Sequence, residues 1–517
     1  MLPRMVSRVP LTLTLLTVLL ICIILTTINI ISLSTLQDQH FQFLTSPVFT
    51  TSYSSSSSSN KPKYVVYSKN PNGAFLKHVF SGFKRYLDHK QTLIVLTFLS
   101  CRFGYSKEDF NTTDDWDVMW AHDYPFKKIR DKMLAMKPGQ KVNKFPGSGF
   151  ITNKVNLATT GLKNVPKAFS IPKEKEEFLD FVKQHPDKMF VQKNNNHRGI
   201  TIEKVENLKL DEEGSFVQEF IHNPLMVDGY KFDIGIYTTL TSVDPLRIYV
   251  HYNDVLLRFC PTKYHPFDPE DKDKYVVGDD YLPSWEVPSF TKYMDDKAGF
   301  SFRDTLNAYI KNHMNMDPNK MWDEIYSTIV QVYQNTETHF AKAVRNYPYR
   351  DAFFEMVRFD FVIDDQLNVY LMEANMSPNL SSAHFSANAG LYEEVVDALL
   401  RLVGVVGVGQ HGNLDAVREK DILVSPDTCA TDNDCDCSKD ECQLCLPCLS
   451  PQDIDILKAA WTERRNQGSM RRIFPPAVSS DNSDTPVTNL DKLSSSNIKM
   501  IRWYQEKCKM DRTWCDL

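Results

Sequence analysis

Residues 353–375 hold two apolar runs, Phe353-Phe354-Glu355-Met356-Val357-Arg358-Phe359-Asp360-Phe361-Val362-Ile363 and Val369-Tyr370-Leu371-Met372-Glu373-Ala374-Asn375. Between them stand Asp364-Asp365-Gln366-Leu367-Asn368, a polar turn. Two such runs around a turn read as a β-hairpin. If the hairpin is centred between Gln366 and Leu367, Asp360 lies directly opposite Glu373, and Asn375 shares the face of Glu373. Like charges opposite each other destabilise a hairpin. Phe359, Phe361, Leu371 and Met372 make both strands mostly buried, so the carboxylates need a cation or a shared proton. Oxygen-only ligands favour Mg²⁺, which is held by one or two carboxylates and substrate phosphates. The plainer alternative is a solvent-facing edge on which the charges are merely hydrated.

Working outward, Lys231-Phe232-Asp233-Ile234-Gly235-Ile236-Tyr237 alternates. Lys231, Asp233 and Gly235 share one face, and Phe232, Ile234 and Ile236 share the other. The first face lines a cleft or simply meets solvent. Leu246–Tyr252 and Val255–Cys260 read as further strands, with Arg258 interrupting the second. Phe216–Ile221 is another. Met189-Phe190-Val191-Gln192 is a strand that leads into Lys193-Asn194-Asn195-Asn196-His197-Arg198-Gly199-Ile200. A lysine at the end of a buried strand, followed by a polar loop with Arg198, suits phosphate binding, although solvated basic loops are commoner. Tyr64–Tyr67, Ala74–His89 and Thr92–Leu99 read as strand, helix and strand, so the fold class is mixed α/β (α+β). Trp116 and Trp120 share a helix face or bracket a turn, and core packing accounts for both.

The chain has 517 residues, 59 Lys+Arg and 65 Asp+Glu, for a formal net charge of −6. This mildly acidic balance argues against a nucleic-acid partner, which needs a clustered basic surface. After the basic residues 1–10, Leu11–Leu33 is apolar and uncharged, and its 23 residues exceed the roughly 20 that cross a bilayer. An uncleaved signal anchor is favoured over a cleavable signal peptide ending at Ser32-Leu33-Ser34. Arg4 and Arg8 precede it, so the charge rule predicts a single-pass type II membrane protein with the rest of the chain lumenal or extracellular. Asn111-Thr112-Thr113 is then a glycosylation acceptor. Residues 45–62 are Ser/Thr-rich and read as a stalk. Eight of the eleven cysteines follow residue 428. In a lumenal tail they read as disulfides; the alternative is zinc on Cys442, Cys445 and Cys448.

Together these pieces resemble the tubulin–tyrosine ligase-like family, whose fold is ATP-grasp. The resemblance runs from about Trp116 to about Leu400. Its carriers include Trp116–Trp120, Asn143-Lys144-Phe145-Pro146-Gly147, Ile151-Thr152-Asn153-Lys154, Phe190–Lys193, Val217-Gln218, Asn223-Pro224-Leu225, Lys231-Phe232-Asp233, Pro245–Tyr249, Arg258-Phe259 and Met372–Pro378. The resemblance implies an ATP- and Mg²⁺-dependent ligase that adds an amino acid, most often glutamate, to protein carboxylates through an acylphosphate. Its partner is an acidic protein: tubulin by analogy, or a secretory-pathway protein if the domain is lumenal. It places Lys154, Lys193 and Arg198 at phosphates and Gln218 near the adenine. Lys231, Asp233 and Arg258 fall at nucleotide and substrate, and Asp360, Glu373 and Asn375 on Mg²⁺. It implies a ligase domain at 63–410; the Cys-rich module at 427–450 and the extension at 451–517 are read from composition and have no family counterpart.

Three departures stand out. Gly235 occupies the arginine position of the family's KFDxR pattern. Glu219 stands where lysine is common. The stretch Pro266–Pro288, rich in Asp and Pro, replaces a His-Leu-Thr-Asn segment. A competing expectation is therefore a pseudo-ligase, a binding or scaffolding module that keeps the fold without turnover.

Overall fold

The computed structural model describes residues 62–67, 95, 99, 102–103, 105–194, 201–203, 205–294, 299–382, 384–406, 417–424, 436–439, 442–479 and 492–515. Three sheets follow one another along the chain. The first holds β1 (Lys63–Tyr67), β2 (Ser106–Lys107), β3 (Val118–Ala121) and β4 (Lys141–Val142) in the order β2-β1-β3-β4, all parallel. Parallel strands need cover on both faces, and every residue of β3 is buried. Trp120 lies in β3, and Trp116 is buried just before it, so the pair belongs to the core but not to a helix. The helix expected over Ala74–His89 lies outside the described residues. The strand expected over Thr92–Leu99 is corrected: its two described residues, Val95 and Leu99, are helical. A short apolar run does not by itself distinguish a buried helix from a buried strand.

The second sheet is antiparallel and contains β5 (Ala168–Ile171), β6 (Phe190–Asn194), β7 (Thr201–Glu203) and β8 (Ser215–Glu219), in the order β5-β8-β6-β7. Helix Lys175–Gln184 covers it, with Phe178 against Phe169 and Phe190.

The third sheet has eight strands. They are β9 (Met226–Val227), β10 (Tyr230–Val243), β11 (Leu246–His251), β12 (Leu256–Phe259), β13 (Leu282–Pro283), β14 (Glu355–Ile363), β15 (Val369–Asn375) and β16 (Met470–Phe474). The long β10 is its spine, with antiparallel pairings to β9, β11, β12 and β14. Helix Asn319–Val344 buries Ile325, Ile329, Val332, Tyr333 and Phe340 at three- and four-residue spacing, the stripe of a core-facing helix. Its Tyr333 ring meets Phe359 of β14 at 5.8 Å.

The carboxy-terminal residues are built into this unit. β16 extends the third sheet beside β11. Buried Arg247 of β11 grips Glu463 of helix Pro451–Asn466 through two hydrogen bonds of 2.9 and 3.0 Å. Helix Ser495–Met510 adds Trp503 and Tyr504 to a second apolar cluster with Leu457 and Trp514. Cys437 is bonded to Cys448 and Cys508 to Cys515, and Cys442 and Cys445 are also in disulfides. Cys429 and Cys435 lie outside the described residues.

The expected membrane topology is corrected. No helix among the described residues is long and apolar enough to cross a membrane. The anchor assigned to Leu11–Leu33 and the stalk at 45–62 rest on residues that, apart from Pro62, lie outside the described ones. The type II, lumen-facing placement was inferred from charge flanking that segment alone. The glycosylation reading of Asn111 depended on that placement and falls with it.

Candidate active site

The decisive hairpin forms. Asp360 of β14 faces Glu373 of β15, as alternation predicts, but by a different route. Near the turn the pairs are Ile363↔Val369, Val362↔Tyr370 and Phe361↔Leu371, so the hairpin is centred on Gln366, one half-step from the expected centre. A bulge at Met372 then inserts one residue into β15 and restores the Asp360↔Glu373 pairing. Bulges of this kind re-aim side chains beside functional sites.

β10 brings the other half. Asp233 pairs with Arg258 of β12, and Gly235 with Asp360 of β14. Arg258 holds both oxygens of Asp233, with Nε at 2.9 Å and Nη2 at 2.7 Å, and Nη2 also reaches Asp360 at 3.1 Å. Arg358 donates to both oxygens of Asp360 at 2.6 and 2.8 Å. The Asn375 Nδ2 group donates to Asp360 at 3.1 Å and to Glu373 at 2.9 Å. Lys154, in helix Lys154–Ala158, closes the cluster with Glu373 Oε2 at 2.9 Å.

Cationic side chains stand where the sequence reading asked for a cation or a shared proton between the carboxylates. Two arginines, a lysine and one amide already compensate the buried acids. Among the described residues no group of three or more His, Cys, Asp or Glu side chains could hold a metal ion.

Burial pushes the Asp233 carboxyl up to about 6 against the pull of Arg258, with Asp360 adding to the rise. Burial also opposes ionisation of Glu373, but Lys154 and the Asn375 amide outweigh it and hold that carboxyl down at about 2.

The second sheet contributes Lys193 and Gln218. Lys193 Nζ donates to Gln218 Oε1 at 2.9 Å, and Gln218 Nε2 donates to the Pro166 carbonyl at 3.2 Å. Burial lowers the Lys193 ammonium to about 8; Glu373 opposes this, and Lys231 and Lys154 reinforce it. Lys231 is buried and donates to the Tyr275 carbonyl at 2.7 Å, and its burial lowers its pKa. Tyr275 belongs to the stretch that replaces the expected His-Leu-Thr-Asn segment. Arg198 lies outside the described residues. Glu219, the apparent charge reversal, forms an ion pair with Lys188.

Two residues at or near the cluster were assigned no role in the sequence reading. Arg358 was given no role, although its two-residue spacing from Asp360 places both on one face. Lys144 is buried within the Asn143–Gly147 motif, and its Nζ reaches Ser377 Oγ at 2.7 Å, tying that motif to the chain just after Asn375. A separate cleft of about 900 Å³, lined by Asp244, Arg247, Arg345, Arg350 and Glu463, contains none of the predicted site residues.

The profile of the tubulin-tyrosine ligase family matches residues 132–411. The probable tubulin polyglutamylase ttll-15 of Caenorhabditis elegans is 41% identical over 426 residues, covering 79% of this chain and 80% of that protein. The chain belongs to the tubulin-tyrosine ligase family.

More distant members of the tubulin-tyrosine ligase family match as well. Mouse tubulin polyglutamylase TTLL6 is 28% identical over 60% of this chain and 40% of its own length. Human tubulin monoglutamylase TTLL4 is 25% identical over 71% of the chain and 33% of its own length. The chain thus spans well under half of these two longer relatives. The relatives' names refer to tubulin.

Proposed function

We propose that this protein is an ATP-dependent ligase that joins glutamate to carboxylates of an acidic protein, tubulin being the substrate in its relatives' names. One observation carries the reading: a single polar face collects Asp233, Asp360, Glu373 and Asn375 with Arg258, Arg358 and Lys154. Lys193 and Gln218 stand on the neighbouring sheet. A nucleotide held between the second and third sheets, in the ATP-grasp manner, would meet cations on both sides.

In the proposed reaction an oxygen of the acceptor carboxylate attacks the γ-phosphorus of ATP, ADP leaves, and an acylphosphate forms. The amine of glutamate then attacks the acyl carbon, the C–N bond forms, and phosphate departs. The chain's work in both steps is positioning and charge stabilisation. Lys154 and Lys193 bind phosphate oxygens, and Gln218 orients the base. Lys231 and the Asp233–Arg258 pair line the place where nucleotide and acidic substrate meet.

Asp360, Glu373 and Asn375 suit Mg²⁺, because their oxygen-bearing side chains converge: one Asn375 nitrogen touches both carboxylates. When bound, the metal would neutralise charge on the β- and γ-phosphates. Accepting it requires Asp360 to release one of its present donors.

Mg-ATP should raise the melting temperature of the intact protein and leave Asp360→Ala unmoved. Transfer of labelled glutamate to tubulin then separates a ligase from a module that only binds. Stabilisation without transfer would favour the pseudo-ligase, and no stabilisation at all would refute the nucleotide site.

A further inference from the structure

Gly235 sits in the middle of β10, where glycine weakens a strand. Its backbone does not require glycine, since it lies outside the left-handed region. The reason is space. A Cβ at 235 would stand 2.9 Å from Arg358 Cδ, 3.3 Å from Arg358 Nε and 3.3 Å from Asp360 Oδ1. Carbon atoms in favourable contact are about 3.5–4.0 Å apart. Gly235 pairs with Asp360, and Arg358 stands two residues earlier on β14. The arginine side chain crosses the face of Gly235 to reach Asp360, and only 7% of it is exposed.

The fork matters as much as the charge. A guanidinium donating to both oxygens fixes the plane of a carboxylate, which an ammonium cannot do. Arg258 and Asn375 each reach only one oxygen of Asp360. With Arg358 the cluster holds three acids (Asp233, Asp360, Glu373) and three cations (Arg258, Arg358, Lys154). Without it the cluster carries a net negative charge toward a polyphosphate.

We propose that Arg358 is a positioning residue of the nucleotide site: reaching across Gly235, it supplies from β14 the guanidinium that the family resemblance places on β10, and it sets the Asp360 carboxylate. The inference rests on the ligase reading. It also assigns a purpose to the glycine that otherwise looks like damage to the site.

The test uses the full chain and four variants: Arg358→Gly, Gly235→Ala, Gly235→Ala with Arg358→Gly, and Gly235→Arg with Arg358→Gly. The readouts are apparent ATP affinity, from Mg-ATP titration of thermal stability, and glutamate transfer to tubulin. Arg358→Gly should lower transfer about 100-fold, in the range for loss of one charge-stabilising contact, and weaken ATP binding. Gly235→Ala should reproduce about tenfold of that loss by displacing Arg358, yet add nothing in the Arg358→Gly background. Returning arginine to position 235 in that background should recover at least about tenfold of transfer.

Wild-type transfer by Arg358→Gly overturns the proposal, as does equal loss from Gly235→Ala in both backgrounds. If the doubly exchanged variant does not fold, the two alanine variants decide. If the wild-type chain binds Mg-ATP but transfers no glutamate, the ligase reading fails on its own. Unchanged ATP affinity in Arg358→Gly would then overturn the role of Arg358 separately.

Discussion

Lys193 offers a direct physical test of the nucleotide site. Burial brings its ammonium down to about 8, from 10.5 for a free lysine. At pH 7 about nine-tenths of it is then charged, at pH 8 about half, and at pH 9 about one-tenth. If the charged form binds the phosphates, apparent ATP affinity should fall about tenfold between pH 7 and 9. Isothermal titration with Mg-ATP at constant ionic strength measures this. Arginine stays charged throughout this range, so Lys193→Arg should flatten the dependence. Stability without nucleotide should move the opposite way. Between pH 8 and 10.5 the unfolded chain holds a proton on this lysine that the folded chain has lost, so the contribution of Lys193 to stability rises with pH. A pH-independent ATP affinity in the wild-type chain, or the same slope in Lys193→Arg, refutes Lys193 as a phosphate contact.

Lys154→Met should cost about 1 kcal/mol at pH 7, because it leaves the half-buried Glu373 carboxylate without its charged donor. Glu373 is held down at about 2, so its stabilising effect is full above the ordinary carboxylate range and disappears as pH falls toward 2. The gap between wild type and Lys154→Met in urea denaturation should close over that interval. Glu463→Ala strands buried Arg247 and should cost about 3–5 kcal/mol; a change under about 1 kcal/mol in the same assay would show that this pair does not tie the carboxy-terminal helix to β11. Loss of the Cys508–Cys515 disulfide in Cys508→Ser with Cys515→Ser should lower stability by about 2–4 kcal/mol, read as a drop in melting temperature relative to the wild-type chain, both without reductant.

Much of the fold was readable because strand periodicity is short. Alternation placed Lys231, Asp233 and Gly235 on one face and Asp360 opposite Glu373, and both arrangements occur. The bulge was not readable. An off-centre turn and one extra residue at Met372 cancel at the carboxylates, so a simple count reached the right pairing without the right turn. The Thr92–Leu99 reading failed at Val95 and Leu99 because a short apolar run has no period that separates a buried strand from a buried helix. The topology failed for a different reason, since it extended local flanking charge at one end to the whole chain.

The order of motifs along the chain was enough to determine the family, the mixed α/β class and the identity of most charged groups near the hairpin. These follow from residue type and local spacing, which one strand or helix already displays. How the acids are neutralised was decided only in three dimensions. Arg258 of β12 and Lys154 of a helix reach Asp360 and Glu373 across distances of about 3 Å that no linear spacing encodes, and they join Arg358 and Asn375, which share strands with those acids. The same is true of Gly235, whose missing side chain has meaning only beside the arginine that crosses it.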